Sequence, residues 1–264
     1  MMLQDKKAIV TGGGRGLGKA IALLLAQEGA DVAVWGRTKE TIDRTAKEIE
    51  ATGRDGVSMQ VDVSKSSQVN KAVDQLLERW GRVDILVNNA AVLPQIVKVS
   101  DPAKANPFLD LTDERWAEEI SVDLSGVFYC IRAVTRPMME QRWGRIINIG
   151  SLAGINGGYF STPSYSAAKA GIMGMTMLAA RWLGRYGITV NVVHPGPIIT
   201  EGAQFSEDVI QVLGKTIPFR RNGDENEILG KPEDIAKAVL YFASDLAPFV
   251  TGTKINVIGG QHMG

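Results

Sequence analysis

The feature that most constrains this chain is the alternation of short apolar segments, rich in β-branched residues, with longer segments of helical periodicity. Short apolar runs of this kind predict buried strands, and the longer segments suit crossover helices. The segments with strand character are KKAIVT, DVAVW, VSMQVDV, VDILVNN, GRIINIG, ITVNVVHPG and TKINVIG. Repeated strand–helix units form parallel sheets through right-handed crossovers. The pattern therefore predicts an α/β fold, a doubly wound seven-stranded parallel sheet with helices on both faces.

The segments between these strands carry apolar residues at helical spacing. They are GLGKAIALLLAQEG, KETIDRTAKEIEATG, SSQVNKAVDQLLERWG, TDERWAEEISVDLSGVFYCIRAV, YSAAKAGIMGMTMLAARWLGRYG and PEDIAKAVLYFAS. No repeat or low-complexity linker interrupts the alternation, so we expect a single domain over residues 1–264. Residues 92–110 and 200–230 are irregular, and long loops of this kind commonly cover a site. The first of them is equally compatible with a surface excursion, whereas we expect the second to cover a substrate pocket.

The composition excludes several classes of partner. Lys and Arg number 29 and so do Asp and Glu, so there is no net positive charge to bind nucleic acid or an anionic membrane. The single cysteine, Cys130, permits no internal disulfide and suits a reducing compartment. No apolar stretch is long enough to cross a bilayer, and the predicted first strand begins too early for a signal peptide. We expect a cytoplasmic protein without a metal site.

A glycine-rich turn, TGGGRGLG, lies between the first predicted strand and the first predicted helix. Its spacing is Thr11-Gly12-x-x-x-Gly16-x-Gly18, which differs from G-x-G-x-x-G. Glycines there let the backbone approach a pyrophosphate, and the N-terminus of the helix offers free N–H groups. A glycine cluster alone is also compatible with a tight turn. Its place between a strand and an apolar helix favours a dinucleotide site.

The end of the second predicted strand carries Gly36 and Arg37 and no carboxylate. Sites for NAD usually place an acidic residue there to bind the ribose 2′-hydroxyl. Arg15 within the glycine-rich turn adds a second guanidinium, and two guanidiniums suit a 2′-phosphate. NADP, as NADPH, is therefore favoured, with NAD as the alternative if the arginines are only solvated surface residues.

Tyr165 and Lys169 lie four residues apart in SYSAAKAG, on one face of a predicted helix. Most such pairs are ordinary surface neighbours. Six motifs in order resemble the short-chain dehydrogenase/reductase family along essentially the whole chain: TGGGRGLG, NNA, Ser151, YSAAK, HPGPIIT and VTGTKINVIGG. The resemblance implies a seven-stranded Rossmann fold and an NAD(P)-dependent oxidoreductase acting on CH–OH groups.

The resemblance assigns catalytic roles to three of these residues. Tyr165 is the general acid/base, Lys169 lowers its pKa and holds the nicotinamide ribose, and Ser151 polarises the substrate carbonyl. Bringing a phenol from a pKa near ~10 to near ~7 requires about 4 kcal/mol. One ammonium about 4.5 Å away supplies roughly 3.7 kcal/mol at an effective dielectric of ~20. The charge of Lys169 is therefore expected to be about sufficient.

The cofactor residues combine the pattern above with the family resemblance. Family positions imply that Asp62 and Val63 contact the adenine, that Asn89 and Ala90 line the cleft, and that Ile198 and Thr200 contact the nicotinamide carboxamide. His194 is expected to be structural. The full expected cofactor-binding set is Gly12, Arg15, Gly16, Leu17, Gly18, Arg37, Asp62, Val63, Asn89, Ala90, Tyr165, Lys169, Pro195, Gly196, Ile198 and Thr200.

Asp123, in VDLSG, departs from the family pattern. The family usually has an asparagine there as a fourth catalytic residue that supports a water-mediated proton relay from the lysine. An ionised aspartate accepts hydrogen bonds but donates none, and its charge would stabilise the Lys169 ammonium. We expect Asp123 to be catalytic, with an altered pH dependence and no loss of activity.

The leading hypothesis is an NADP-dependent oxidoreductase that interconverts a secondary alcohol and a ketone. One alternative is a 3-oxoacyl-thioester reductase acting on acyl carrier protein, although Tyr186 stands where such enzymes often carry an arginine. A non-catalytic nucleotide-binding sensor would not need Ser151, Tyr165 and Lys169 together, and a Rossmann methyltransferase does not explain YSAAK.

Three expectations concern the substrate and the assembly. Arg220 and Arg221 either recognise an anionic substrate or pair with the acidic residues that follow them. By analogy with the family we expect a homo-oligomer, a tetramer or a dimer. The apolar helices around Val127 and Ile172 are the expected interfaces.

Overall fold

The sheet contains seven strands, in a computed structural model that describes residues 1–93, 106–158, 161–202 and 204–263. The strands are β1 Lys7–Thr11, β2 Asp31–Gly36, β3 Gly56–Gln60, β4 Ile85–Asn88, β5 Gly144–Ile149, β6 Ile188–Pro195 and β7 Lys254–Val257. Their order is β3-β2-β1-β4-β5-β6-β7, and every neighbouring pair is parallel. The predicted seven-stranded parallel sheet is confirmed.

The helices connect successive strands. In the described part of the chain they are α1 Gly16–Gln27, α2 Lys39–Glu50, α3 Ser66–Trp80, α4 Pro107–Asp110, α5 Asp113–Ile120, α6 Gly126–Gln141, α7 Ala153–Asn156, α8 Pro163–Leu183, α9 Glu207–Gly214 and α10 Pro232–Ala243. None of these described helices combines the length and the apolar composition that crossing a bilayer requires.

The core lies in two layers because side chains alternate across the sheet. In β1, Ala8 and Val10 pack with residues of α1, α2 and α10, whereas Ile9 packs with residues of α3, α6 and α8. Both layers are buried, which explains why the strands are apolar without alternation. The prediction of helices on both faces is confirmed.

The strand order reverses between β1 and β4. From β1 the chain continues through β2 to β3 on one side of the sheet, and from β4 it continues through β5 and β6 to β7 on the other. The connections after β1 and after β4 therefore diverge and leave a crevice at the carboxyl edge. The glycine-rich turn after β1 lies at this reversal point.

The helix predicted over residues 112–134 is interrupted. After α5, residues Ser121–Ser125 form a π-helical turn, and α6 then continues to Gln141. The wider turn places the carboxylate of Asp123 where it accepts a hydrogen bond from the backbone N–H of Val92, at 2.8 Å. Hydrophobic periodicity does not reveal a π turn, because the flanking residues keep their helical spacing.

The third strand is shorter than the predicted VSMQVDV segment. It ends at Gln60, because Asp62 turns the chain by accepting a hydrogen bond from the backbone N–H of Ser64, at 3.0 Å. Asp62 and Val63 consequently follow the strand, at the carboxyl edge of the sheet.

The two irregular segments differ in how far the structure describes them. Within residues 200–230, α9 and a 3₁₀ turn at Arg221–Gly223 are present. Leu213, Ile217 and Ile228 form a small apolar core there. Of residues 92–110, the stretch 94–105 lies outside the described residues.

The helices around Val127 and Ile172 stay the predicted interfaces, but these two side chains cannot themselves contact a second subunit. Their side chains are 4% and 0% exposed and belong to the core under the sheet. Other apolar side chains of the same two helices are exposed, namely Phe128 on α6 and Met177, Leu178 and Trp182 on α8. Periodicity identified the apolar helices, but their most apolar faces pack against the sheet.

Leu25 tests the layer formed by α1 because its side chain is 0% exposed. Replacing it by alanine leaves a cavity in a close-packed core, so Leu25→Ala should lower the free energy of unfolding by about 2–5 kcal/mol. Leu246→Ala is the matched control because Leu246 is 60% exposed. Urea denaturation of both variants measures the difference, and equal losses would contradict the described packing.

Candidate active site

A cleft of about 740 Å³ lies at the carboxyl edge of the sheet. It is bounded by the connections after β1, β2, β3, β4, β5 and β6. Every predicted cofactor residue lines this cleft, and so does Ser151. Asp123 lies behind the wall, where its neighbour Val122 is the residue that reaches the cleft.

The glycine-rich turn can fold only with glycine at key positions. Gly12 and Gly16 have φ angles of +64° and +52°. A Cβ on Gly18 would lie 2.2 Å from the carbonyl oxygen of Gly12. Helix α1 then begins with no side chain capping its N-terminus and no acidic residue in its first turn. Its first N–H groups and its positive dipole end fit a pyrophosphate.

The hydroxyl of Thr11 joins this turn to the end of β4. It accepts hydrogen bonds from the backbone N–H groups of Asn89 and Ala90, at 2.9 and 3.0 Å. The side-chain amide of Asn89 donates to the carbonyl oxygen of Thr11 at 2.9 Å. These bonds hold the two sides of the crevice together. The sequence marked Thr11 as part of a motif but gave no sign of this role.

Arg15 and Arg37 are both exposed at one end of the cleft. Neither guanidinium forms an ion pair with a carboxylate among the described residues. The backbone at Arg37 is fixed, since its carbonyl oxygen accepts a hydrogen bond from the side chain of Gln60 at 2.8 Å. The end of the cleft beyond β2 therefore offers two positive side chains to a ligand.

His194 supports the backbone of Ser151 from behind. The backbone N–H of Ser151 donates to Nδ1 of His194 at 3.0 Å. Burial lowers the pKa of His194 to about 4, so the ring is neutral at physiological pH. Nδ1 also lies 2.9 Å from the carbonyl oxygen of Ser151, so the neutral ring pairs with the backbone of this residue in either tautomer and holds the turn after β5.

Tyr165 and Lys169 come from the first turns of α8. The hydroxyl of Thr162 caps this helix and accepts from the backbone N–H of Tyr165 at 3.2 Å. The ammonium nitrogen of Lys169 lies 5.4 Å from the centre of the Tyr165 ring and donates to the carbonyl oxygen of Ile149 at 3.2 Å. The two side chains thus share the cleft wall beside the end of β5.

The protonation of this pair differs from the expectation that Lys169 brings the tyrosine near neutrality. Burial raises the pKa of Tyr165, and the negative charge of Asp123 raises it further. Burial also lowers the pKa of Lys169, against the effect of Asp123. The cost of desolvating a phenolate exceeds the attraction of the ammonium. Tyr165 consequently carries its proton at neutral pH.

Asp123 is fully buried in the π-helical turn. One carboxylate oxygen accepts the hydrogen bond from Val92, and the other has no partner among the described residues. Burial raises the pKa of Asp123 to about 6, although the charge of Lys169 opposes the shift. The side chain therefore changes charge near neutral pH, close enough to Tyr165 and Lys169 to influence both.

Arg220 and Arg221 do not line the cleft. Arg220 pairs with Glu225 at 2.7 Å, and Arg221 pairs with Asp234 at 2.6 Å. These contacts favour the second interpretation of the two arginines, which is pairing with acidic residues that follow them. Neither of these two arginines therefore offers the cleft a positive charge that could bind an anionic substrate.

The wall beyond Ser151 and Tyr165 mixes apolar and uncharged polar side chains. Three of them lie in the segment 200–230, which was expected to cover a substrate pocket, whereas the others come from separate loops and belong to no motif. They are Leu93, Leu152, Asn156, Ser161, Gln204, Phe205, Leu213 and Gln261. A neutral substrate with both apolar and hydrogen-bonding parts suits this wall.

Comparison with known proteins gives related enzymes over the whole chain. A family model described as enoyl-(acyl carrier protein) reductase matches residues 12–262. The 3-oxoacyl-(acyl-carrier-protein) reductase FabG of Staphylococcus epidermidis is 38% identical over 261 residues, covering 98% of this chain and 100% of that protein. FabG of Pseudomonas aeruginosa is 37% identical over 264 residues and covers 100% of both chains.

Solved structures agree with the fold. A putative short-chain alcohol dehydrogenase from Sinorhizobium meliloti superposes with a TM-score of 0.87 and 34% identity, covering 98% of this chain and 97% of that one. Levodione reductase superposes with a TM-score of 0.86 and 30% identity, covering 98% of each chain.

The raised pKa of Asp123 makes a prediction about stability. The folded protein keeps this proton up to a pH of about 6, whereas the unfolded chain loses it at its ordinary, lower pKa. The free energy of unfolding therefore falls as the pH rises between these two pKa values. Asp123→Asn removes this decrease, so its stability relative to the native protein should increase by roughly 1–1.5 kcal/mol between about pH 5 and pH 8. Urea unfolding measures the difference. Asp74→Asn, at an exposed position of α3, is the control, and an equal trend in both variants would contradict the assignment.

Proposed function

The chain belongs to the short-chain dehydrogenase/reductase family, and we propose on that premise that it interconverts a secondary alcohol and a ketone with NADP. Family membership makes it an NAD(P)-dependent oxidoreductase that acts on CH–OH groups. The observation that carries the finer proposal is the shared cleft. It brings the glycine-rich turn and both free arginines together with Ser151, Tyr165 and Lys169.

The residues present fit a nicotinamide dinucleotide. The N-terminus of α1 would hold the pyrophosphate, and Arg15 and Arg37 would hold a 2′-phosphate through charge-assisted hydrogen bonds. Asp62 and Val63 would contact the adenine. The roles of the remaining residues that line the cleft follow from the family pattern: Lys169 for the nicotinamide ribose, and Ile198 and Thr200 for the carboxamide.

When bound, the nicotinamide supplies the hydride for reduction. The hydroxyl of Ser151 would donate a hydrogen bond to the substrate carbonyl oxygen and stabilise the negative charge that develops there. Tyr165 would donate the proton that turns the alkoxide into the alcohol. Lys169 and Asp123 would return a proton to the phenolate, since Asp123 exchanges its own near neutral pH.

The protonation of Tyr165 supports the reductive direction. A phenol whose pKa is raised by burial is ready to donate a proton at neutral pH. Oxidation of an alcohol requires the same group as a phenolate base, which the buried environment disfavours. The enzyme is therefore proposed to work as a ketone reductase.

A 3-oxoacyl thioester on acyl carrier protein is the second candidate substrate. It is favoured by the relatives at 37–38% identity, whose names specify that activity. The chemistry is the same ketone reduction with a longer substrate. Tyr186 stands at the position expected to carry a carrier-docking arginine, and it lies between Arg142 and Arg185, whose guanidinium carbons are 6.0 and 5.2 Å from its ring. A cationic surface is thus present around the tyrosine.

We propose further that the protein is a single domain, that it is located in the cytoplasm, and that it assembles as a tetramer or a dimer. The exposed apolar side chains of α6 and α8 support an oligomer, since burial of such side chains against a second subunit is favourable. They are Phe128, Met177, Leu178 and Trp182.

Cofactor preference is the first test. NADPH should bind at least about tenfold more tightly than NADH, equivalent to about 1.4 kcal/mol, as measured by titration of tryptophan fluorescence. Arg37→Ala should remove most of this preference and leave NADH binding unchanged. Arg44→Ala is the control, because Arg44 is exposed on α2 and does not line the cleft. Equal affinities in the native protein would contradict the 2′-phosphate assignment.

Tyr165→Phe tests the acid/base. Removing the phenol's proton should lower kcat for ketone reduction by about 10²–10⁴-fold while NADPH still binds. The assays should compare neutral cyclic or aliphatic ketones with a 3-oxoacyl thioester, which also separates the two candidate substrates. A variant with full turnover would remove Tyr165 from the mechanism, and a native protein that binds NADPH but reduces neither class would support a nucleotide sensor.

A further inference from the structure

Glu119 is a buried carboxylate that the proposed reaction does not use. It lies on α5 with 0% exposure. Its Oε1 accepts a hydrogen bond from Nε of Arg115 at 2.8 Å, and its Oε2 accepts from the hydroxyl of Thr162 at 2.5 Å and from the hydroxyl of Ser164. Each carboxylate oxygen is therefore paired, and two of the donors belong to the start of α8.

The contact with Thr162 connects Glu119 to Tyr165. The hydroxyl of Thr162 has a single proton, which it donates to Glu119, so its lone pairs are left to accept from the backbone N–H of Tyr165 at 3.2 Å. Linked hydrogen bonds of this kind strengthen one another in a buried site. One hydroxyl group thus joins the carboxylate to the amide of the proposed proton donor.

Arg115 extends the same network to the opposite wall of the cleft. Its Nη2 donates a hydrogen bond to the carbonyl oxygen of Leu93 at 2.8 Å. The backbone N–H of the residue before it, Val92, donates to the carboxylate of Asp123. Leu93 lines the cleft. Residues 115, 119 and 123 are spaced by four, so one face of α5 and of the π-helical turn anchors both the chain after β4 and the start of α8.

Stability alone is a weak explanation for this arrangement. Burying an ion pair costs desolvation energy that its attraction often fails to repay, and apolar residues of similar volume are commonly as stable. The contacts of Glu119 instead converge on the helix turn that carries Tyr165 and on the segment that faces it across the cleft.

We propose that Glu119, held by Arg115, is a positioning residue that fixes the first turn of α8, and with it Tyr165, relative to the Val92–Leu93 wall. The inference rests on the proposed function only for its effect on turnover. The network itself is testable without a substrate.

The charges around Glu119 supply a further readout. On its own helix and the adjoining turn, Arg115, Glu118 and Asp123 are the charged neighbours, and from α8 the titratable groups are Tyr165 and Lys169. The negative charge of Glu119 adds to the effects that raise the pKa of Tyr165 and of Asp123. Removing it should lower both pKa values.

Hydrogen exchange measures the network directly. In Glu119→Gln, amides in the first turn of α8 should exchange at least about fivefold faster, because a neutral amide holds the Thr162 hydroxyl less strongly. Glu118→Gln is the matched control: Glu118 is exposed and also pairs with Arg115, at 3.0 Å, but it does not contact Thr162. Thr162→Val should show the same increase, and Thr162→Ser should restore native exchange. Because Thr162→Val also removes the cap of α8, Arg115→Gln decides the question if Glu119→Gln does not fold. It removes the ion-pair partner of Glu119 and leaves Thr162 intact, and it should show the same increase.

Kinetics then test the positioning role. Glu119→Gln should lower kcat about tenfold with NADPH affinity unchanged within about twofold, and should shift the pH dependence that Asp123 imposes near pH 6 to lower pH. Unchanged exchange, or an equal effect of Glu118→Gln, would overturn the network. Faster exchange with an unchanged kcat would overturn the positioning role. If Glu119→Gln exchanges faster but the native protein reduces no ketone, the network is supported and the proposed function is overturned.

Discussion

The parallel pairing of β1 with β4 is the constraint on which the site depends. It joins two halves of the sheet whose connections run in opposite directions, and so opens a crevice where the turn after β1 meets the chain after β4. The hydroxyl of Thr11 closes the far side of this crevice by accepting two backbone N–H groups. Without this junction the glycine-rich turn would have no opposite wall, and no cleft would exist for α8 to complete.

The cost of burying charge dominates the chemistry of the cleft. Lys169 is 2% exposed, and Asp123 and Glu119 are fully buried. Each buried charge is stabilised by different means: Lys169 by the carbonyl of Ile149, Glu119 by Arg115 and two hydroxyls, and Asp123 by one backbone N–H. Asp123 has one carboxylate oxygen without a partner among the described residues, and burial raises its pKa to about 6. Desolvation likewise leaves Tyr165 protonated, as a proton donor requires.

The fold was largely predictable because its signals are local. The apolar β-branched runs match the strands, and the burial of both sheet faces explains their lack of alternation. The predicted bounds of two elements differ from the structure because local hydrogen bonding and backbone geometry end or widen the element there. Asp62 ends the third strand early through its own turn, and residues Ser121–Ser125 widen a helix that periodicity presents as continuous.

The sequence by itself determined the motif residues that line the cleft at the ends of the strands, because glycine, arginine, serine, tyrosine and lysine there belong to recognisable patterns. Only the tertiary structure decided their electrostatics and their support. The expectation that Lys169 alone lowers the pKa of Tyr165 includes the attraction between two charges but not the burial of both groups. Glu119 and Thr162 belong to no motif, and His194 belongs to one that does not indicate its contact with Ser151. Their roles arise from contacts between segments far apart in the chain, which spacing does not encode.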